Sequence, residues 1–416
     1  MCRKWAVPVL AAGCALLGLP AGAQSLPSEP MSFGGGRVTI GGDVSATFSC
    51  TDAVNSTAGV CADDTGFFNY TDYEHSTLRM LRVDLAASVR ATSRLSFLGE
   101  VRSEDGGHPQ PYALYARIRP WTSRAIDVQV GRVPPTFGTF ARRSYAADNP
   151  LIGYPLAYQY LTSIRADALP ANADELIRMR GRGWLSSFSV GSTAPDRGMP
   201  IVNGFRWDTG VQVHATTRRV DATVAVTTGS LANPLVSDDN AGKQVAARLA
   251  LRPAQGLVVG VSGAQAPFVA RAAAESAGAL SDNSSFTQGA FGADLEYSRA
   301  YYLVRIETIV SRWRLPIVRT PAIELPLTAT STLVEGRYKI RPGLYAAARF
   351  DHLGFSTIAG SSRVTEWEAP VTRVEVGGGY SIVRNLLVKL AFQHNTRPAG
   401  RTTKLNLWSA QTVFWF

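Results

Sequence analysis

The feature of this sequence that most constrains its fold is an alternation of apolar and polar residues with a period of two. In the stretch LRVD, Leu81 and Val83 alternate with Arg82 and Asp84. Successive side chains of a β-strand point to opposite faces, so such a stretch predicts a strand with one apolar and one polar face. The same alternation recurs at 38–49, 220–227, 245–252, 288–297 and 386–395. The pattern predicts an all-β protein with no helix beyond residue 23.

The connections between the predicted strands are alternately short and long. Short turns are predicted near 91–94, 120–124, 217–219, 253–256, 298–300, 341–343 and 383–385. Long polar or Gly/Pro-rich loops are predicted near 50–76, 104–111, 133–203, 230–242, 267–287, 313–326, 356–370 and 396–403. The strands between them number about sixteen. An even number of strands, with short turns at one end and long loops at the other, is typical of a transmembrane antiparallel β-barrel.

A soluble β-sandwich, propeller or solenoid would also alternate, but three features favour the barrel. The sequence has no fixed repeat period. The polar face carries charges of both signs, such as Arg349 and Asp351, whereas the apolar face is nearly free of charge on every strand. Water would not require a charge-free outer face, and a closed barrel also leaves no unpaired strand edge.

The first residues predict an export signal. Arg3 and Lys4 precede an apolar run, and Ala21-Gly22-Ala23 forms a cleavage site of the A-x-A type. Cleavage after residue 23 leaves 24–416 as the barrel and lowers the formal net charge from +10 to +8. An alternative lipoprotein-type site at Cys14 is less favoured, because the apolar run continues past it.

Two cysteines, Cys50 and Cys61, remain after this cleavage. They enclose a short polar stretch in a chain predicted to be exported. Cysteines in this setting predict a disulfide that staples one loop, and the stretch offers too few other ligands for a metal site.

The final residues, AQTVFWF, resemble the C-terminal recognition signal of Gram-negative outer-membrane porins. Phe414 and Phe416 match its alternating aromatics, and Trp408 has the same parity. Leu405 and Leu407 have the opposite parity, which predicts a β-bulge near 407–408. A weaker similarity is GRVPPTFGTF, which resembles the start of the third loop in phosphate-selective-type porins.

The resemblance to porins implies a location, a set of partners and a role for segment 133–203. It implies the outer membrane of a Gram-negative bacterium, contact with lipid and lipopolysaccharide, insertion by the barrel-assembly machinery, and a homotrimer. It also implies that the third loop, 133–203, folds into the lumen and narrows it. Aromatic residues that could pack there are Phe137, Phe140, Tyr145, Tyr154, Tyr158 and Tyr160.

Charged residues of this segment are candidates for the constriction. They are Arg142, Arg143, Arg165, Arg178, Arg180 and Arg182, together with Asp174 and Glu175. In RMRGRG, Arg178, Arg180 and Arg182 are two residues apart, so an extended chain would point their side chains to one side. Rows of arginine side chains in a pore favour anions. Alternatively, these arginines pair with carboxylates and brace the loop, and the sequence leaves both options open.

The polar face of the predicted strands is the candidate lumen wall, with a small excess of basic residues. Its candidate arginines are Arg82, Arg117, Arg119, Arg206, Arg248 and Arg349. This composition predicts a water-filled channel for small hydrophilic solutes with a weak preference for anions.

Other functions are less favoured. The five histidines are scattered and no catalytic or metal-binding motif is present, so no enzyme, cofactor or metal is expected. A barrel hydrolase and a mainly structural barrel remain alternatives. Nucleic-acid binding does not fit an exported chain whose arginines are spread at strand spacing. A plugged transporter would require about twenty-two strands.

Overall fold

The computed structural model describes residues 29–51, 68, 78–121, 123–140, 144–204, 206–240, 242–278, 281 and 285–416. The predicted signal segment 1–23 therefore lies outside the described residues. None of the helices in the described part is long and apolar enough to cross a membrane.

Sixteen barrel strands form an antiparallel sheet that closes on itself, and a short strand, Met31–Phe33, joins this sheet by pairing with the first of them. The barrel strands are β1 (Val38–Thr51), β2 (Leu78–Arg90), β3 (Leu95–Glu104), β4 (Gln110–Ile118), β5 (Ile126–Val133), β6 (Asp208–Thr216), β7 (Val220–Thr227), β8 (Gln244–Ala254), β9 (Leu257–Pro267), β10 (Thr287–Arg299), β11 (Tyr302–Arg314), β12 (Leu327–Arg341), β13 (Leu344–Phe355), β14 (Val371–Val383), β15 (Leu386–Thr396) and β16 (Lys404–Trp415). Each strand pairs with its sequence neighbours, and β16 pairs with β1. The predicted sixteen-stranded barrel is confirmed.

The period-two pattern separates the two faces of the wall. On β13, Phe350 is 45% exposed, whereas Arg349 and Asp351 are almost fully buried. On β14, Val374 and Val376 are exposed in the same way. We call the apolar, exposed side the outer face and the opposite side the inner face. The outer face suits lipid, and the inner face carries the charges.

The two ends of the barrel differ, as predicted. The end with the short turns, for example between β8 and β9, is called here the turn end. The other end carries the long connections and is called the loop end. The longest of these joins β5 to β6 and contains two short helices, α1 (Leu156–Gln159) and α2 (Ala173–Arg178), and a two-stranded pair, Ala168–Leu169 with Val190–Gly191.

The helices correct the prediction that none follows residue 23. A third, α3 (Arg271–Ser276), lies between β9 and β10. The described helices have four to six residues, too few to produce a 3.6-residue periodicity in the sequence. Helix α2 is nevertheless well capped, because the side-chain oxygen of Asn172 accepts a hydrogen bond from the Glu175 N–H at 3.0 Å.

The predicted bulge near 407–408 is wrong. Strand β16 keeps an unbroken register with both β15 and β1. Leu405 and Leu407 are buried on the inner face, whereas Trp408 is 60% exposed on the outer face. The inner wall near the loop end is apolar, so the two leucines pack inward without a bulge.

Candidate functional site

Segment 133–203 and the inner face of the wall together form the candidate site. Much of the segment is buried, and its aromatic residues Phe137, Phe140, Tyr154, Tyr158 and Tyr160 belong to the main apolar cluster. The rings of Phe140 and Tyr158 have centroids 5.1 Å apart. Strand residues of the wall belong to the same cluster: Ile309, Trp313, Leu327, Ala329, Leu353, Val371, Leu405 and Leu407. The segment therefore packs on the wall through apolar contacts.

A pair of wall charges binds residues 149–153 of the segment. The Arg349 guanidinium donates to a Glu335 carboxylate oxygen at 2.7 Å and to a Glu375 oxygen at 3.2 Å. It also donates to the Asn149 side-chain oxygen at 2.9 Å and to the Gly153 carbonyl at 2.6 Å. In return, the Gly153 N–H donates to Glu375 at 2.9 Å. These buried charges are thus satisfied by one another and by the backbone of the segment.

Lys389 on β15 holds the same part of the segment. Its ammonium group donates to the carbonyls of Ala146, Asn149 and Leu151 at 2.6, 3.0 and 3.2 Å. An ammonium group has three donors, so its hydrogen-bonding capacity is fully used. The partners of Lys389 are backbone carbonyls, which every residue has, so no acidic residue in the sequence marks this contact. The contact could therefore not be predicted.

Further contacts anchor the segment to other parts of the wall. The Tyr158 hydroxyl donates to Glu307 on β11 at 2.9 Å, and the Thr139 N–H donates to the same carboxylate at 2.8 Å. The Tyr145 hydroxyl donates to Glu100 on β3 at 2.7 Å. Burial, followed by the negative charge of Glu100, raises the pKa of Tyr145, so this hydroxyl keeps its proton and remains a donor.

Arg165 has the role of a brace within the segment. Its side chain is buried and donates to Asp167 at 2.6 Å and to the carbonyls of Ser186 and Ala194. Burial opposes ionisation of Asp167, but the hydrogen bonds from Arg165 outweigh it and hold the pKa of Asp167 below its ordinary value. The guanidinium of Arg165 is thus committed to internal contacts.

The arginines of RMRGRG do not lie on an extended chain. Arg178 ends helix α2, and a turn follows. Arg178 pairs with Glu175 at 3.2 Å, Arg180 pairs with Glu366 at 2.7 Å, and Arg182 is exposed. Their spacing of two therefore does not place three guanidinium groups on one side, because the local backbone is helical and turned.

The two acidic candidates make contacts of their own. Asp174 accepts hydrogen bonds from the Ser361 hydroxyl and N–H, and these hold the pKa of Asp174 below its ordinary value. Glu175 accepts from the Ala171 N–H at 2.6 Å and from the Ser189 hydroxyl at 2.9 Å. Asp174 thus joins the segment to the loop before β14, and Glu175 stabilises the segment internally.

Glu368 is a further junction, which the sequence analysis missed. Its buried carboxylate accepts from the backbone N–H groups of Ser163, Gly181 and Ala369. Burial raises the pKa of Glu368, while these hydrogen bonds act in the opposite direction. No sequence motif marks this residue, since its partners are backbone groups of two separate loops.

Five of the six predicted wall arginines lie on or beside barrel strands, with carboxylate partners. Arg82 pairs with Glu104 at 3.0 Å, and Arg248 and Arg349 have the partners Asp294 and Glu335. The pair Arg117 and Arg119 shares Asp127. The sixth, Arg206, is exposed and precedes β6 instead of lying on it.

Other predicted residues lie at the edge of the described chain or beyond it. Arg142 and Arg143 are outside the described residues. Cys50 is disulfide-bonded, but Cys61 is not among the described residues, so the pairing of the two stays a prediction.

The predicted assembly residues lie on the seam that closes the barrel. Phe416 exchanges two backbone hydrogen bonds of 3.0 Å with Gly42, and Phe414 is paired with Val44. The ring centroids of Phe414 and Phe416 are 6.3 Å apart, and Trp408 packs on Phe392 at 4.4 Å.

A cavity of about 470 Å³ remains between the segment and the wall. Gly138 and Thr139 line it from the segment, and residues of β6 to β10 line the opposite side. Wall residues there include His214, Arg248 and Asp294. The lining carries charges of both signs.

Three of the described histidines make hydrogen bonds to neutral side chains. His214, His352 and His394 bond to Thr223, Thr372 and Asn406, respectively. Among the described residues, no group of three His, Cys, Asp or Glu side chains could hold a metal ion.

Comparison with known proteins gives matches in structure alone. Neither the family models nor the curated protein sequences produced a match. The fold is similar to the anion-selective porin from Comamonas acidovorans, with a TM-score of 0.55 and 10% identity over 91% of this chain and 99% of that chain.

Two further structures have the same architecture. OmpF of Salmonella typhi, in complex with daunomycin, has a TM-score of 0.55 and 11% identity over 93% of this chain and 100% of that chain. The outer membrane channel DcaP of Acinetobacter baumannii has a TM-score of 0.57 and 10% identity over 91% of this chain and 97% of that chain. With a closed sixteen-stranded barrel and these structural relatives, the chain has the fold of Gram-negative outer-membrane porins.

Proposed function

We propose that this chain is an outer-membrane porin, a water-filled channel for the passive diffusion of small hydrophilic solutes. The observation that carries the proposal is the division of the barrel wall into an apolar outer face and a charged inner face. Such a wall encloses a polar path across the lipid bilayer. This path lowers the free-energy barrier for a hydrated solute to cross the membrane, without any covalent step. The cavity of about 470 Å³ between segment 133–203 and β6 to β10 supports an aqueous path.

Segment 133–203 is proposed to be the constriction of this channel. The hydrogen bonds of Arg349, Glu375, Lys389 and Glu307 with the segment support this, because all four side chains belong to the inner face. In this proposal, the segment occupies part of the cross-section of the channel. Arg178 and Arg182, which are exposed, are its candidates for meeting a solute, whereas Arg165 and Arg180 serve as braces.

A weak preference for anions is part of the proposal. The formal net charge of residues 24–416 is +8, and one of the similar structures is named an anion-selective porin. Extensive pairing of wall arginines with carboxylates argues for a weak preference instead of a strong one, since paired charges largely cancel at a distance.

The proposed setting is the outer membrane of a Gram-negative bacterium. Residues 1–23 would direct export and be removed, and the barrel-assembly machinery would insert the chain among lipid and lipopolysaccharide. A homotrimer is proposed because the similar OmpT of Vibrio cholerae is described in a trimer form. Light scattering in detergent would test this through a mass three times that of one chain.

A barrel hydrolase and a mainly structural barrel are the alternatives. The hydrogen bonds of His214, His352 and His394 to neutral side chains offer no support for a hydrolase. A structural barrel would require that the segment close the lumen completely, which the cavity beside it does not favour.

The test is the permeability of liposomes that contain the purified protein. Swelling in isotonic solutions of neutral sugars is expected to be fast for monosaccharides and to slow steeply with sugar size. Swelling no faster than that of protein-free liposomes, for every sugar, would reject the proposed function.

A further inference from the structure

A second cavity, of about 490 Å³, lies at the turn end of the barrel against β1 to β4. Its lining contains five arginines, Arg37, Arg90, Arg94, Arg117 and Arg119, together with serine and threonine side chains. No aspartate or glutamate and no residue of segment 133–203 is among the lining residues. We call this cavity the arginine vestibule.

The strand register brings these arginines together. The Arg90 N–H donates to the Arg37 carbonyl at 2.7 Å, and the Arg119 N–H donates to the Arg94 carbonyl at 2.8 Å. Ser96 links the two pairs, because it faces Arg90 on β2 and Arg117 on β4. Residues far apart in sequence are therefore fixed on four neighbouring strand ends, and their spacing in the sequence gives no sign of it.

The vestibule differs from the remainder of the inner face in its charge balance. Arg82, Arg248 and Arg349 each have a carboxylate partner. In the vestibule, by contrast, Arg117 and Arg119 share one carboxylate partner, Asp127. Among the described residues, Arg37, Arg90 and Arg94 form no ion pair with a carboxylate.

An arginine cluster of this kind is a site for an anion. Guanidinium groups do not lose their proton, so a bound counter-ion relieves the mutual repulsion between them. Each guanidinium presents a planar fork of donors that matches two oxygens of one oxyanion, and the hydroxyls of the lining add donors. A multivalent anion gains from several arginines at once, whereas chloride gains from charge alone.

We propose that the arginine vestibule binds small multivalent oxyanions at the turn end, the periplasmic end of barrels of this kind. In the channel it would set the preference for anions more strongly than Arg178 and Arg182 at the loop end. The binding itself is independent of transport. Its part in selectivity rests on the proposed porin function.

Calorimetric titration of sulfate into the full barrel in detergent tests the binding. The test variant is R37Q/R90Q/R94Q, and the control is R314Q/R319Q/R363Q, which removes the same charge from exposed loop-end residues. Sulfate affinity is expected to fall at least about tenfold in the test variant, because charge-assisted hydrogen bonds are lost, and to change less than about twofold in the control. A variant with lysines at the three vestibule positions should retain most of the affinity.

The outcomes separate the vestibule from the proposed function. Absence of sulfate binding by the parent, or an equal loss in test and control variants, would overturn the proposal. The lysine variant guards against misfolding, because it keeps the three positive charges while changing the same positions. Retained sulfate affinity in it supports the proposal, and a loss as large as in the glutamine variant, with an unchanged heat-modifiable band in gels, would overturn it. Sulfate binding without any channel in bilayers would leave the vestibule intact and reject the porin function.

Discussion

At the scale of single residues, the inner wall is organised by buried charges that are matched by partners from segment 133–203. Arg349 and Lys389 use their donors on wall carboxylates and on the backbone of the segment. Removing water from a charge costs free energy, so each of these buried charged groups requires its partners. If one partner is lost, the remaining charge is buried without compensation and the protein is destabilised.

Replacing Arg349 by glutamine tests this balance. The change leaves Glu335 and Glu375 buried without their cation, so the free energy of unfolding in detergent should fall by about 3–5 kcal/mol. Urea titration followed by tryptophan fluorescence measures it. The matched change at Arg384, whose pair with Glu29 is exposed, should cost no more than about 1 kcal/mol, and equal costs would contradict the account.

The Glu368 junction predicts a pH dependence. Burial raises the pKa of Glu368 above its ordinary 4.5, so the folded state holds the proton more tightly than the unfolded state. Stability relative to E368Q is therefore full below about pH 4.5 and decreases as the pH rises through the raised pKa. Unfolding midpoints of the two proteins between pH 4 and 8 measure this difference. A parent protein that becomes more stable relative to E368Q as the pH rises would be inconsistent with the assignment.

Residue roles were predictable from the sequence only in part. Strand parity assigns Arg82, Arg248 and Arg349 to the polar face of their strands, because period two is a property of the strand itself. The spacing of Arg178, Arg180 and Arg182 misleads, because a short capped helix and a turn replace the extended chain. Partners such as the carbonyls held by Lys389 depend on the path of a long loop, which no local pattern encodes.

At the scale of elements, segment 133–203 packs against barrel strands through one shared apolar cluster. The aromatic residues of the segment and the apolar wall residues near the loop end share one cluster. The turn end contrasts with this, because the arginine vestibule there is polar and open to solvent. The barrel thus has an apolar, closely packed loop end and a turn end with an arginine-lined cavity.

Replacing Lys389 by methionine should loosen the segment without unfolding the barrel. Three carbonyls lose their donor at once, whereas the strand register is unaffected. We expect faster proteolytic cleavage within 144–164 and noisier channel currents. The matched variant K339M, at an exposed wall position, should behave like the parent. Identical cleavage in all three proteins would argue against Lys389 as an anchor.

Deleting Phe416 tests the closing seam. The deletion removes the two backbone hydrogen bonds to Gly42 and one aromatic of the predicted assembly signal. Outer-membrane levels in cells should fall several-fold, whereas W121A, which removes an exposed aromatic at a turn, should leave them unchanged. Normal levels of the truncated protein would count against the signal.

Element positions were largely predictable, and two errors have separate causes. The turns and long loops were placed correctly because Gly, Pro and polar clusters interrupt a strong alternation. The absent bulge at 407–408 was not predictable, because it depends on what packs against β16. Inward leucines are tolerated on β16 only because an apolar cluster meets them. The short helices were not predictable either, because four to six residues are too few to show a 3.6-residue periodicity.

At the scale of the whole molecule, one closed sheet separates an apolar surface from a charged interior. Closure follows from the pairing of β16 with β1, and it makes the interior the only continuous polar surface along the described strands. The overall architecture was predictable because it depends on periodicity and strand number, not on individual contacts.

The most direct test of this account is single-channel recording in planar lipid bilayers across a potassium chloride gradient. The account predicts stepwise, persistent increases in conductance. It also predicts a small reversal potential whose sign shows that chloride permeates faster than potassium. A protein that inserts yet gives no conductance steps, or a reversal potential of the opposite sign, would contradict it.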